Sequence, residues 1–158
     1  MSTSYVVTGG GRGVGRAVVE RLVATGATVV VLERDADAVD WLAGHRAADR
    51  LVAVVGDAAD EQVAEHAAEL AERAAPLTGW VNNAAVFRDA ALHSASADTV
   101  LDLIGMNLRP AVVGAGVAVR RFLARAAGAR SSTSRRTRPA DRCPVPCRTR
   151  QRRPPWRV

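Results

Sequence analysis

Thr8-Gly9-Gly10-Gly11-Arg12-Gly13-Val14-Gly15 is the stretch on which the reading of the whole chain turns. It follows the β-branched run Tyr5-Val6-Val7 and precedes apolar residues repeating at Val14, Val18 and Leu22. The glycines therefore sit at a strand-to-helix turn, the context in which such a pattern carries information. Gly9 permits a sharp turn, Gly13 lets backbone approach a pyrophosphate, and Gly15 allows a helix to pack tightly on the strand. The free N–H groups and the positive end of the helix then face the phosphates.

The same alternation continues outward. Thr28 to Leu32, Leu51 to Val55 and Trp80-Val81 read as buried strands, being short, β-branched and bounded by turn residues. Between them, Val63, Ala67, Leu70 and Ala74 recur at helical spacing, with Asp60 placed to cap and Glu61 in the first turn. Asp35 is placed to cap a helix containing Val39 and Leu42. Two further helices are expected, from about Ser96 to Leu108 and from Pro110 to Ala127, with Pro110 suited to a first turn. Strand–helix alternation of this kind predicts an α/β fold, a doubly wound parallel sheet covered on both faces.

Length and composition agree. The 158 residues suffice for one domain with a true core, and 48% hydrophobic with 24% charged residues excludes wholesale disorder. No run reaches the roughly 20 consecutive apolar residues of a membrane span, and no signal peptide opens the chain, so cytoplasmic residence without a membrane partner is expected. The net charge of +6 is unevenly divided: residues 1–128 hold 12 Arg against 15 acidic residues, a net −3, whereas residues 129–158 hold 10 Arg against Asp141 alone, a net +9. The expected organisation is a folded body over 1–128 and a disordered Arg/Pro-rich tail over 129–158.

Other residues carry weaker signals. His45, His66 and His93 read as surface groups and Trp41 as a packing residue. Cys143 and Cys147 lack a second ligand pair, so no metal site is expected. No placed base accompanies Ser94, Ser96 or Ser131 to Ser134.

The glycine stretch resembles the cofactor signature of the short-chain dehydrogenase/reductase family. The similarity continues in order through Gly56-Asp57-Ala58, Asn82-Asn83-Ala84-Ala85 and Met106-Asn107-Leu108, covering about residues 4–128. It implies a Rossmann-like sheet in order 3-2-1-4 and hydride transfer between an alcohol and a carbonyl with a nicotinamide dinucleotide. It further implies cofactor contacts at Thr8, Gly9, Arg12, Gly13, Val14 and Gly15, adenine contacts at Asp57 and Ala58, and a ribose-side wall at Asn83, Ala84 and Ala85. Asn107 corresponds to the asparagine of the catalytic tetrad, which helps hold a proton-relay water. Ala85 stands where the family usually has glycine, and its methyl narrows the cleft. Intact members are homo-oligomers; oligomerisation of this chain is in doubt.

Glu33 ends the second strand, 18 positions after Gly15. A carboxylate there accepts both ribose hydroxyls and repels a 2′-phosphate, which favours NAD. Arg34 and Arg12 argue the other way, since guanidinium groups at that ribose welcome the phosphate of NADP.

The family reaction also needs a Tyr-x-x-x-Lys pair, the tyrosine exchanging a proton with substrate while the lysine lowers its pKa. The only tyrosine here is Tyr5, and no lysine occurs anywhere. The chain is therefore expected to be inactive, and a small alcohol or carbonyl is the expected substrate only of an intact form. A one-base slip in the coding frame between about Ala126 and Arg130 accounts for the tail. Read one base upstream, codons for Ser131 to Arg138 permit Ile-Val-Asn-Val-Ser-Ser-His-Gln, and those from Arg148 permit a Tyr-x-x-x-Lys segment. The rival reading is a noncatalytic dinucleotide binder, or a tail whose Arg residues neutralise nucleic-acid phosphates. Trp156 alone interleaves those arginines, so nucleic acid is not the expected partner. Without further strands, the fourth strand is an open edge and low stability with aggregation is expected.

Overall fold

The computed structural model describes residues 2–133. Four strands, β1 (Ser4–Thr8), β2 (Thr28–Glu33), β3 (Leu51–Val55) and β4 (Leu77–Val81), form one sheet in the order β3-β2-β1-β4. Every pairing is parallel. The expected order 3-2-1-4 is the observed one, and each strand coincides with a run read from the sequence, Leu51–Val55 without change and the other three extended by one to three residues.

Parallel strands buried on both faces need apolar residues at every position, and β2 provides them. Val29 and Val31 face one side with Val7, while Val30 and Leu32 face the other with Val6. Helix α1 (Gly13–Ala24) and a 3-10 helix (Ala36–Leu42) cover the first face. Helices α2 (Glu61–Ala74) and α3 (Ala97–Thr133) cover the second. Asp60 caps α2 through its carboxylate, which accepts from the Gln62 N–H at 2.8 Å. Asp35 caps the 3-10 helix, accepting from the Asp37 N–H at 3.1 Å.

Three sequence expectations are corrected. The buried stripe of α1 is Gly15, Val19 and Val23, one position on from Val14, Val18 and Leu22, and Val14 is 74% exposed. A glycine adds nothing to an apolar count, yet its missing side chain is what brings α1 onto β1. On α2 the expected stripe holds in part: Ala67 is buried and Val63 and Leu70 pack against the core, but Ala74 is exposed and the deepest residues are Ala64, Ala67, Ala68 and Ala71. Small side chains let this helix lie close over Val30 and Leu32.

The third correction concerns α3, a single helix through Pro110 where two were expected. Proline removes one helical hydrogen bond, a loss that outside contacts can offset. Beside the proline the helix is also held from outside, the Asn82 amide donating to the Ala111 carbonyl at 3.3 Å. The same helix, over Ala97–Ala127, is long and apolar enough by length and composition to cross a membrane, with a mean hydropathy of 1.3. It is not a continuous apolar run, being interrupted by Asp98, Asp102, Arg109, Arg120, Arg121 and Arg125. Yet Gly114 and Val117 of α3 pack against the body. A Cβ on Gly114 would lie 2.3 Å from Asn82 Oδ1 and 2.6 Å from Trp80 Nε1, and Val117 is fully buried.

Helix α3 also crosses the compositional boundary at Gly128 and continues to Thr133. The Arg/Pro-rich segment from 134 on, with Cys143, Cys147 and Trp156, lies outside the described residues. Between α2 and α3, Arg120 and Arg121 form a charged clamp. Arg120 reaches Glu61 and Glu65 at 2.5 and 2.8 Å, and Arg121 reaches Glu65 and Glu72 at 2.5 and 3.0 Å.

Candidate functional site

The elements that follow the carboxyl ends of the neighbouring strands β1 and β4 go to opposite faces of the sheet, α1 to one and α3 to the other, and a cleft opens at that switch point, as it does in open parallel sheets generally. It encloses about 800 Å³, within the range of small-molecule sites. Its floor is the glycine turn. Gly9 has φ +66° and Gly13 φ +53°, backbone that L side chains rarely adopt. The two differ in their surroundings. A Cβ on Gly9 would lie 2.8 Å from Ala84 Cα, whereas nothing lies within 4 Å of a Cβ on Gly13. Gly9 is thus required by packing, and Gly13 presents bare backbone to open space at the start of α1. Gly15 is a packing glycine: its Cβ would meet the Gly9 carbonyl oxygen at 2.0 Å.

Side chains hold this turn from three directions. From β4 and the loop after it, Asn83 Nδ2 donates to the Thr8 and Gly9 carbonyls at 3.2 and 2.9 Å. Thr8 returns the contact: its hydroxyl accepts from the Asn83 and Ala84 N–H groups at 3.0 and 3.1 Å and donates to the Val81 carbonyl at 3.3 Å. Thr8 is 1% exposed and lies outside the cleft lining, so it joins β1 to the loop and does not face a ligand. From β2, Glu33 Oε2 accepts from the Gly11 N–H at 3.1 Å. From the 3-10 helix, the Trp41 indole donates to the Gly11 carbonyl at 3.0 Å. Both polar groups of Gly11 are therefore fixed, and Arg16 stacks 4.4 Å over the Trp41 ring.

The remaining sequence candidates line the same cleft. Arg12, Val14, Glu33 and Arg34 stand on one side, Asp57 and Ala58 at the end of β3, and Asn83, Ala84 and Ala85 opposite. Glu33 keeps capacity for a ligand. Its Oε1 accepts from the Arg34 N–H at 2.9 Å, and a carboxylate offers about four acceptor sites. Asp57 Oδ1 accepts from the Ala59 N–H at 2.8 Å, which shapes the turn after β3. Asn107 lies behind the loop as a latch: Oδ1 accepts from the Val86 N–H at 2.8 Å and Nδ2 donates to the Val86 carbonyl at 3.1 Å. With its bond to the Leu103 carbonyl within α3, both Nδ2 protons of Asn107 are used.

Three contributors were missed in the sequence. Trp41, read as packing, anchors the glycine turn through its N–H. Asp35, read as a cap, also lines the cleft and pairs with Arg12. Arg109 reaches back from α3 to the Ala59 carbonyl at 3.3 Å and closes one end of the cleft. His45 is half-buried against Trp41 and accepts from the Ala47 N–H at 3.1 Å, while His66 is exposed on α2. Among the described residues no cluster of three His, Cys, Asp or Glu gathers as metal ligands. A shallow depression on α2 among Glu61, Glu65 and Glu69 lies away from the glycine turn.

The short chain dehydrogenase family profile matches residues 4–130. The chain is 33% identical over 109 residues to the 3-oxoacyl-[acyl-carrier-protein] reductase MabA of Mycobacterium avium, an alignment covering 68% of this chain and 39% of that one. It is 30% identical over 124 residues to carbonyl reductase family member 4 of Danio rerio, covering 78% of this chain and 52% of the relative. Among solved structures, a putative short-chain dehydrogenase from Novosphingobium aromaticivorans superposes with a TM-score of 0.71 at 30% identity, covering 80% of this chain and 48% of that one. The chain thus spans about half or less of the length of these relatives.

Proposed function

The chain belongs to the short-chain dehydrogenase family, and from that premise we propose that its cleft binds a nicotinamide dinucleotide, NAD in preference to NADP. The observation that carries the reading is Gly13: left-handed, at the first turn of a 12-residue helix, with nothing within 4 Å of where a side chain would start. A diphosphate fits such a place because backbone N–H groups and the helix end supply its donors, and a Cβ would intrude. Glu33 supplies the acceptor for ribose hydroxyls. Asp57 and Ala58 form the adenine end, and Asn83 to Ala85 the side toward the second ribose, at the distance the Asn107 latch sets.

When bound, the dinucleotide supplies hydride donor or acceptor capacity. The proton transfer that must accompany it needs a placed acid, and among the described residues no Tyr, Lys or His lines the cleft. Tyr5 lies within β1, away from the cleft lining, and no Lys is present in the 158 residues. The activity of the family, oxidation of an alcohol or reduction of a carbonyl, belongs in this reading to a chain that also carries the Tyr-x-x-x-Lys pair. This chain is the dinucleotide-binding portion, residing in the cytoplasm.

Titration of the full chain with NADH, followed by cofactor fluorescence and calorimetry, tests the reading. The expected result is saturable one-to-one binding, with no NADH oxidation when small aldehydes and ketones are added. A chain that is folded by circular dichroism and binds no NADH would overturn the binding claim. NADH turnover would overturn the claim of inactivity.

A further inference from the structure

One face of α3 is apolar along most of its length and points outward. Leu101, Ile104, Leu108, Val112, Ala115, Val119 and Leu123 follow one another at steps of three or four residues, the spacing of a single helix face. All are exposed, the six larger ones by 53% to 64%. The stripe is about 33 Å long at the helical rise per residue. The charged residues within its span, Asp102, Arg109, Arg120 and Arg121, each stand one or two positions after a stripe residue, about 100° or 200° round the helix. The opposite face holds the body, with Gly114 against Trp80 and Asn82 and Val117 fully buried. An unbroken apolar surface of this length marks an interaction site. The carboxyl end of the helix leads into residues 129–158, where 10 Arg stand against Asp141 alone, a net charge of +9.

We propose that this face docks on the surface of an anionic phospholipid bilayer. The stripe enters the boundary between head groups and acyl chains, and the arginine-rich segment supplies attraction to the head groups. An interfacial helix takes its binding strength from buried apolar area and from cationic side chains acting on anionic lipid, and this chain carries both in sequence. Guanidinium groups suit the purpose because each pairs with phosphate oxygens through two N–H donors. Nucleic acid would satisfy the arginines but leave the stripe in water. A second copy would cover the stripe but bring two segments of like charge together. Helix α3 lies along the surface and does not cross it, because its inner face is already committed to Trp80 and Asn82. Membrane docking is independent of the dinucleotide reading, and it replaces the expectation of a chain with no membrane partner.

Cosedimentation of the full chain with vesicles of equal parts phosphatidylcholine and phosphatidylserine, beside vesicles of phosphatidylcholine alone, tests the assignment, with the lipid-free chain sized in parallel. The expected result is saturable binding to the mixed vesicles, weaker by about tenfold or more on the neutral ones and weakened again as salt screens the charges. Leu108→Gln with Val112→Gln should reduce binding to the mixed vesicles about tenfold. Circular dichroism should not change, since both side chains are more than half exposed. Leu108→Trp should keep binding, and bromine-labelled acyl chains should quench the added emission. Equal binding by the double variant, with no such quenching, would reduce the contact to charge alone and overturn the role of α3. A lipid-free dimer that the double variant splits, with no vesicle binding, would give the face to a second copy. Failure to bind vesicles while polyuridylate binds would give the arginines to nucleic acid. Either of these last results would also overturn the proposal.

Discussion

The β1–α1–β2 side of the cleft and the β4–α3 side are held together in different ways. On the first, Val7, Val19, Val29 and Val31 are completely buried, and both polar groups of Gly11 are bonded by side chains from other elements. On the second, α3 touches the sheet through a notch at Gly114 and the side chain of Val117 and is clamped by arginines to α2, while Leu101, Ile104, Leu108, Val112 and Leu123 are each more than half exposed. Within the described sheet, β4 has β1 as its one neighbour. A nucleotide-binding turn must be rigid before its ligand arrives, and the first side has that rigidity from its own contacts. The second side supplies a wall and a latch but leaves much of its apolar surface uncovered by the described residues.

The sharpest way to break this contrast is to fill its two glycine notches. Gly15→Val would press a side chain into the Gly9 carbonyl and Asn83. It is expected to cost about 3 kcal/mol and to abolish NADH binding. Gly114→Val is expected to cost a similar amount in stability by lifting α3 from Trp80 and Asn82. It should only weaken NADH binding, because the glycine turn is untouched. Urea denaturation paired with NADH titration separates the two. Equal loss of binding in both would remove the distinction between the sides.

Smaller changes sharpen it. Val19→Ala removes methyl groups from a fully buried site and is expected to lower stability by about 2 kcal/mol by chemical denaturation. Val14→Ala, at a position 74% exposed, should stay within about 0.5 kcal/mol. Trp41→Phe keeps the ring but deletes the donor to Gly11, so it should cost about 1 kcal/mol and weaken NADH binding more than stability alone explains. Calorimetry on a chain that remains folded reads both effects.

The smallest effect lies at the α2–α3 clamp. Burial pushes the Glu65 carboxyl up, but hydrogen bonds and charge from Arg120 and Arg121 outweigh it and hold the group below the ordinary glutamate value. A carboxyl lowered in the folded state stabilises fully above its unfolded pKa, and that contribution is lost as pH falls through the lowered folded value. The stability gap between the unaltered chain and Glu65→Gln should therefore be constant near neutrality and narrow in acid. For so exposed a network it should amount to about 1 kcal/mol or less. A gap that widens on acidification would reverse the assignment.

Much of this architecture is legible in the residues, and the illegible parts share a cause. The strands are plain because buried parallel strands need unbroken β-branched runs, as Thr28 to Leu32 shows. The glycine turn is plain because φ above zero and close approach both select glycine. The stripes of α1 and α2 are only partly legible: Val18, Leu22, Val63, Ala67 and Leu70 do pack on the core, but the closest approach to the sheet is through Gly15, Ala64 and Ala68, small residues that an apolar count undervalues. Helix α3 reads as two segments because Pro110 suits a first turn, and the contact that holds the helix beside it comes from Asn82, distant in sequence. Trp41 and Asp35 lie 30 and 23 positions from their partners Gly11 and Arg12, and neither contact leaves a local pattern. Thr8 belongs to the glycine motif in sequence but serves the loop after β4 in space.

The central claim, that the glycine turn and the ends of β2 and β3 form one dinucleotide site, is tested most directly by mapping amide chemical shifts of the full chain during titration with NADH. The account predicts shifts concentrated at Gly9 to Gly15, at Glu33 to Asp35 and at Asp57 to Ala59, saturating together with one dissociation constant. Shifts confined to α2 and α3, or none at all in a folded chain, would contradict it.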